Sequence, residues 1–159
     1  MVSLANDPPD GVPELVGRCR DAGLVVDMPV TDDDLGAITD LVTRWTLVVD
    51  AAPGAERAQL LNLLLREGST HPRLSDHAGT GWHLHYRDDA AALATVVGAL
   101  AAVGTALHLT GRGMGRLGRC ACAGCDRIFA DVSRTGRQRY CSTRCSTRDA
   151  VRRHRAAAP

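Results

Sequence analysis

The amino-acid sequence predicts a mainly α-helical protein, with a helical N-terminal domain that carries one β-hairpin and a small cysteine-rich module at the C-terminus. Two observations favour this class. Apolar residues recur at helical spacing through most of residues 12–109, and five of the six cysteines lie between residues 120 and 145. The helical spacing is interrupted near residue 80 by alternating apolar and polar residues, which are typical of short strands.

The charge of the chain changes sign near residue 110. Residues 1–110 contain 7 arginines and 15 acidic residues, a net charge of −8, whereas residues 111–159 contain 12 arginines and 3 aspartates, a net charge of +9. We therefore expect an acidic domain over 1–110, a glycine-rich linker over 111–118 and a basic module over 119–159. Such asymmetry predicts that the basic module carries an interaction surface.

Three helices are predicted in the first part of the acidic domain. The first covers 12–22. The second begins at Thr31, which is placed to form a capping box with Asp34, and continues to Val49 with apolar residues on one face. The third covers 55–66 and is rich in leucine.

A β-hairpin and a long helix complete the domain. The hairpin is predicted between residues 73 and 86, where Trp82, Leu84 and Tyr86 alternate with the two histidines of that segment. We expect both tryptophans, at positions 45 and 82, in the core, with the wall of a ligand cavity as the alternative, and Cys19 as a small buried apolar residue. An alanine-rich helix follows from about residue 89 to residue 109; its inward-facing residues are predicted to be Leu93, Val96, Val97, Leu100, Val103 and Leu107.

The cysteines of the basic module form two close groups, which predicts a zinc site with four thiolate ligands. The second group supplies Cys141 and Cys145. In the first group Cys125 pairs with either Cys120 or Cys122, and the common two-residue spacing favours Cys122. One zinc ion held by four thiolates has no open position for a catalytic water, so its expected role is structural.

The order of elements predicted around the zinc is treble-clef-like: a cysteine turn, a hairpin, a second cysteine turn and a helix. The hairpin strands are expected at residues 128–129 and 139–140, joined by a polar turn at 133–136. The module is rich in arginine, and a guanidinium group suits phosphate pairing and base stacking. The residues predicted to contact nucleic acid are Arg134, Arg137, Arg139, Arg144, Arg148, Arg152 and Arg155. The alternatives are a solvated helix face, docking of the module on the acidic domain of the same chain, and docking on an acidic protein partner.

This segment resembles the CGNR zinc-finger family of bacterial proteins. The resemblance is carried by Phe129, Asp131-Val-Ser-Arg134, Tyr140-Cys141-Ser142, Arg148 and His154-Arg155, whereas the naming motif reads Cys145-Ser-Thr-Arg148. The family pattern implies that Cys120 is the first zinc ligand, and we adopt it with Cys122 as the alternative. The family usually carries an N-terminal ABATE domain, which residues 4–110 resemble in order. The resemblance implies a stress-induced transcriptional regulator that binds DNA or RNA, and we expect DNA.

Other functions lack support in the sequence. No Ser-His-Asp spacing, phosphate loop or dinucleotide-binding motif is present, so we do not expect an enzyme. A metal-dependent enzyme that uses His83 and His85, with Asp76 or His77, is the second alternative. With neither a signal peptide nor an apolar run of membrane-spanning length, we expect a cytoplasmic protein that does not enter a membrane. A homodimer and a small-molecule effector of the N-terminal domain are further candidate partners.

Overall fold

We describe the fold from a computed structural model of the chain, which describes residues 1–76, 81–88 and 90–157. The chain is mainly helical, as predicted, with two short antiparallel hairpins. The elements in chain order are α1 (Val2–Asn6), α2 (Val12–Asp21), α3 (Asp32–Asp50), α4 (Ala55–Gly68), β1 (Arg73–Ser75), β2 (His83–His85), α5 (Leu93–Arg112), β3 (Leu117–Arg119), β4 (Ile128–Ala130) and α6 (Thr143–Ala157).

The start of α3 also fixes the start of α5. Thr31 and Asp34 form the predicted capping box, in which the Thr31 amide donates to the Asp34 carboxylate at 3.1 Å. The other carboxylate oxygen of Asp34 accepts a hydrogen bond from the amide of Ala94, in the first turn of α5, at 3.0 Å. One buried carboxylate thus accepts hydrogen bonds from backbone amides at two helix N-termini that have no partner within their own helices. This contact aligns α3 with α5.

The core of the domain lies between α3, α4 and α5. Trp45 and Cys19 are buried, as predicted, and Trp45 donates from its indole nitrogen to the Thr105 hydroxyl at 2.9 Å. The predicted position of Trp82 is wrong, since its side chain is 73% exposed. We expected no apolar segment of membrane-spanning length. By length and composition, however, α5 is the one helix in the described part of the chain that is apolar enough to cross a membrane. This is weak evidence for a span, because the core helix of a globular domain has the same properties.

The face of α5 that packs inward differs in part from the prediction. Leu93, Val96 and Val97 are buried, but Leu100 is 51% and Leu107 62% exposed. Helices α4 and α5 approach closely at two glycines, since a Cβ added at Gly68 would lie 3.2 Å from the carbonyl carbon of Gly98. Ala99, Ala101 and Ala102 are also buried, whereas these two leucines lie on the outer side of the helix.

The first hairpin presents the opposite face to the one predicted. Arg73 pairs with His85 and Leu74 with Leu84 in an antiparallel register. His85 is buried, whereas Leu84 is 52% exposed. Because neighbouring strand residues alternate between faces, this register places the histidines rather than the apolar residues toward the protein. His77, one of the candidate metal ligands, and most of the predicted turn lie outside the described residues.

The segment predicted as a linker, 111–118, contains the end of α5 and the start of β3. Leu117 belongs to the same apolar core as Trp45, together with Ile128 of β4. The guanidinium of Arg57, on α4, is buried and donates to the backbone carbonyls of residues 49, 51, 114 and 117. Helix α4 therefore holds the C-terminal end of α3 and the entry to β3 with one side chain.

Candidate metal centre

The first cysteine group is formed by a tight turn between β3 and β4. The amide of Cys120 donates to the carbonyl of Arg127 at 2.9 Å, and the amide of Cys125 donates to the carbonyl of Cys122 at 3.0 Å. Gly124 has a φ of +70°, which an L side chain rarely adopts. This turn directs the sulfurs of the first group toward α6.

The strand pairing around this turn differs from the prediction. We expected β4 to pair with a strand at 139–140, but its partner is β3, with Gly118 opposite Phe129. Residues 139 and 140 form no strand, although the carbonyl of Arg139 accepts a hydrogen bond from the amide of Ala121 at 2.8 Å. The hairpin therefore encloses the first cysteine group instead of connecting the two groups.

The second cysteine group is positioned by the start of α6. The Ser142 hydroxyl accepts a hydrogen bond from the amide of Cys145 at 3.2 Å, and the Ser142 carbonyl accepts one from the amide of Ser146 at 3.1 Å. Ser142 thus acts as the N-terminal cap of α6. Cys145 lies in the first turn of the helix, beside Cys141.

The four sulfurs of Cys120, Cys125, Cys141 and Cys145 lie within 4.8 Å of one another. Three of the Sγ–Sγ distances are 3.8 Å (125 to 141), 3.7 Å (141 to 145) and 3.7 Å (125 to 145). A regular tetrahedron of sulfurs around zinc, with Zn–S bonds of about 2.3 Å, has edges of about 3.8 Å. The cluster can therefore hold one zinc ion with little rearrangement.

Cys122 lies outside the four-sulfur cluster. Its side chain is buried, and its sulfur accepts a hydrogen bond from Nε of Arg148 at 3.1 Å. The sulfur of Cys120 instead accepts a hydrogen bond from the amide of Cys141 at 3.4 Å. Of the two candidates for the first ligand, Cys120 is the one that the structure brings to the other three sulfurs.

The thiols of the cluster are unequal in acidity. The Ser142 hydroxyl and the neighbouring sulfurs lower the pKa of Cys145 to about 7, and burial raises the pKa of Cys141 to about 12. A thiol binds zinc as the thiolate, so each ligand that is protonated before binding must release its proton. Zinc binding at neutral pH thus couples to proton release at this cluster.

Residues 116–158 match the family model of the CGNR zinc finger. We refer to this matched segment as the CGNR-type finger. No curated protein matches the chain. The ABATE-like interpretation of residues 4–110 stays a prediction, as does the regulatory role that the resemblance implies.

Asp131, one of the residues that carried the resemblance, organises the loop of the CGNR-type finger together with Arg116. The buried carboxylate of Asp131 accepts hydrogen bonds from the amides of Ser133 at 2.8 Å and Gln138 at 3.2 Å. It also lies 3.3 Å from a guanidinium nitrogen of Arg116, which donates to the Ser133 carbonyl at 2.7 Å. The loop over 133–136 is therefore held by an aspartate and an arginine that flank the hairpin.

A second carboxylate, Asp149, connects the loop to α6. It is buried and accepts a hydrogen bond from the Tyr140 hydroxyl at 2.8 Å and two from Arg152 at 2.7 and 3.2 Å. Arg153 donates to it at 3.1 Å. The Arg152 guanidinium and the Tyr140 hydroxyl hold the pKa of Asp149 at about 2, below its ordinary value. The sequence gave no indication of the contact between Asp149 and Tyr140, except that Asp149 is the single acidic residue on an arginine-rich helix.

All seven arginines predicted to contact nucleic acid are exposed. They differ in how their side chains are engaged. Arg148 contacts Cys122 and the carbonyl of Ala123, Arg152 pairs with Asp149, and Arg139 lies 5.9 Å from the centre of the Tyr140 ring. Within the described residues none of the seven forms an ion pair with residues 1–110. The four arginines of the set for which no such contact was described above are Arg134, Arg137, Arg144 and Arg155.

Sequence reasoning missed the residues that join the CGNR-type finger to the helical domain. Arg119 pairs with Asp50 through two hydrogen bonds of 2.6 and 2.9 Å, and Arg127 pairs with Asp7 through two of 2.9 and 2.7 Å. Asn6 exchanges two hydrogen bonds with the backbone of residue 128, at 2.8 and 2.7 Å. The opposite net charges of the two regions indicated that they could attract each other. The spacing of residues along the chain did not indicate which arginine pairs with which aspartate.

The histidine alternative receives limited support. Nε2 of His83 lies 3.0 Å from Nε2 of His85, and Nδ1 of His83 lies 2.7 Å from the carbonyl of Gly81. Asp76 is exposed and does not join them in a metal-ligand group. Over the described ranges, the four-cysteine cluster is the one group of three or more metal-binding side chains that comes together.

Proposed function

We propose that the protein is a zinc-dependent transcriptional regulator that binds nucleic acid, DNA in preference to RNA, through its CGNR-type finger. The observation that carries the proposal is the exposed arginine surface of the loop and α6. Its seven members lie on an element stabilised by zinc, and they have no carboxylate partner among the described residues of the acidic domain.

The division of the arginines into two groups supports this proposal. Arg119 and Arg127, on the hairpin side of the finger, are neutralised by Asp50 and Asp7. The carboxylates beside the loop and α6 are already paired: Asp131 with Arg116, and Asp149 with Arg152 and Arg153. A surface with this excess of guanidinium groups attracts phosphate, and such contacts position a protein on nucleic acid without specifying sequence.

Three further parts of the proposal concern the role of the zinc, the compartment and the helical domain. Four thiolates leave no open coordination position, so the protein acts by binding and not as an enzyme. Four reduced thiols require a reducing compartment, which favours the cytoplasm. The helical domain would sense a small molecule or form a homodimer, and a dimer would raise the affinity of a small finger for its site.

The direct experiment is a fluorescence-anisotropy titration of zinc-loaded protein into a labelled DNA duplex and a labelled single-stranded RNA, at low and at physiological salt. We expect binding that weakens steeply with salt and is tighter for the duplex. Absence of binding at low salt, with one zinc per chain confirmed, would contradict the proposal. It would leave docking on an acidic protein as the function of the arginine surface.

A pair of double variants makes the test specific to the proposed surface. Arg144 and Arg155 form no hydrogen bond or ion pair with the described residues, so replacing both with Ala removes charge without disturbing the fold. We expect the slope of log K against log salt to fall in magnitude by about 2. The control replaces Arg44 and Arg66 with Ala on the helical domain, which removes the same charge and should leave the slope unchanged.

A further inference from the structure

We propose that the protein binds a small, uncharged, apolar molecule in a cavity between the N-terminal helices and the CGNR-type finger. The binding itself is independent of the proposed function, whereas its role as the effector site of a regulator rests on that function. The cavity has a volume of about 380 Å³ and is lined by residues of α1, α2, α3, α5, β3 and β4.

The size and walls of the cavity suit a small molecule. Its volume falls within the range of about 300–1,000 Å³ that is typical of ligand sites, and it has room for about a dozen water-sized groups. Leu4, Trp45 and Leu117 form buried parts of the wall. Leu100, at the rim, is 51% exposed, so an apolar occupant would remove this side chain from water.

Four polar side chains in the wall, those of Arg18, Trp45, Thr105 and His108, are already paired with protein groups, which favours an uncharged occupant. The indole of Trp45 donates to Thr105 at 2.9 Å, and His108 lies 3.0 Å from the carbonyl of Arg116. Arg18 forms an ion pair with Glu14 and also donates to the carbonyl of Asp7. A charged ligand that used any of these four groups would have to break its contact, whereas an apolar ligand needs no such exchange.

Helix α5 contributes an exposed glycine, Gly104, to the lining of the cavity. A Cβ added at Gly104 would meet no atom within 4 Å. A larger side chain can therefore be placed at this position of the lining without displacing a neighbour. The same residue supplies the means of blocking the site in a test.

The wall of the cavity includes both sides of the joint between the helical domain and the finger. Leu117 and Ala130 line it and are register partners in the β3–β4 hairpin. On the opposite side it is lined by Leu4 of α1, whose neighbour Asn6 bonds to the backbone of Ile128. An occupant that contacts both sides would stabilise this joint, which is the physical route from ligand to finger.

The test uses the uncharged fluorescent probe N-phenyl-1-naphthylamine with the zinc-loaded protein. A Trp82→Phe background leaves Trp45, in the cavity wall, as the single tryptophan of the chain. We expect a saturable rise in probe fluorescence together with energy transfer from Trp45. Gly104→Leu should weaken probe binding about tenfold or more, because the leucine occupies the same space. The control is Gly36→Leu, also at an exposed helical glycine with nothing within 4 Å of an added Cβ, and it should leave affinity unchanged.

Hydrogen exchange then tests the connection to the finger. With probe bound, exchange in residues 117–130 should slow. Unchanged exchange despite saturable binding would overturn the connection, and no saturable binding, or equal binding by the Gly104→Leu variant, would overturn the site. A chain that forms a dimer dissociated by Gly104→Leu, and that does not bind the probe, would assign the cavity to a second copy and also overturn the proposal. Because these measurements contain no nucleic acid, their failure is distinct from failure of the proposed function.

Discussion

The guanidinium of Arg148 donates from Nε to the sulfur of Cys122 at 3.1 Å, at the edge of the zinc cluster. The two residues are 26 positions apart, and their contact connects the first cysteine turn to α6. A second hydrogen bond, from Arg148 to the carbonyl of Ala123 at 3.3 Å, supports the same connection. Cys122 thus has a packing role beside the metal ligands, and the two neighbouring thiols of the first group are expected to respond differently to substitution.

Replacing Cys120 with Ser should abolish stoichiometric zinc binding, because it removes one of four thiolates. Replacing Cys122 with Ser should leave one zinc per chain, since its sulfur contacts Arg148 instead of the cluster. The measurement is zinc content by a chromogenic chelator after thiol modification. Zinc loss in the Cys122 variant together with retention in the Cys120 variant would reverse the ligand assignment.

Zinc affinity should rise with pH between 6 and 8. Only thiolates bind the ion, and the pKa of Cys145, at about 7, lies within this range, whereas that of Cys141, at about 12, lies above it. Protons therefore compete with zinc more strongly as the pH falls, and the apparent affinity should drop by about tenfold or more per pH unit. Competition with a chelator of known pH dependence measures the slope, and a flat profile would contradict thiolate ligation from protonated thiols.

Arg57→Met should destabilise the whole chain by about 3 kcal/mol, because four buried backbone carbonyls lose a shared donor. Urea unfolding followed by circular dichroism measures the effect. Arg66→Met, at an exposed position of the same helix, is the control and should change the free energy of unfolding by no more than about 0.5 kcal/mol. Equal effects of the two substitutions would show that the Arg57 contacts contribute nothing to stability.

Gly136→Ala should destabilise the loop of the CGNR-type finger by more than about 1 kcal/mol. Gly136 has a φ of +69°, and a Cβ there would lie 2.5 Å from Cζ of Arg116. Gly115→Ala, where an added Cβ meets nothing within 4 Å and φ is not positive, serves as the control. Thermal melting of the zinc-loaded variants compares them, and an unchanged midpoint for the Gly136 variant would contradict the conformation of this loop.

The extent to which the fold was predictable varied with the range of the interactions involved. The capping box of Thr31 and Asp34 lies within one helical turn and was predicted, but the second bond of Asp34, to Ala94, joins residues 60 apart and was not. Helix α5 was predicted as an element with Leu93, Val96 and Val97 correctly expected to be buried, but Leu100 and Leu107 are exposed. Hydrophobicity alone predicts that both leucines are buried.

The metal centre was more predictable because its ligands occur in two short groups whose chemistry restricts their arrangement. The choice between Cys120 and Cys122 required the structure, since it depends on the turn at Gly124 and on Arg148. The contacts between the finger and the helical domain could not be predicted from the sequence either. Pairing Arg119 with Asp50, and Arg127 with Asp7, requires the relative position of two elements that are far apart in the chain.

The attachment of β3 by Arg57 has a consequence for how the protein acquires metal. β3 leads directly into Cys120, and its position is fixed by α4 and by the apolar core, without any ion. Part of the ordering that a free finger peptide undergoes when it takes up zinc is therefore completed when the helices fold. The intact chain should compete for scarce zinc better than its excised finger. A change in helix packing far from the sulfurs would then alter the fraction of molecules that carry the ion.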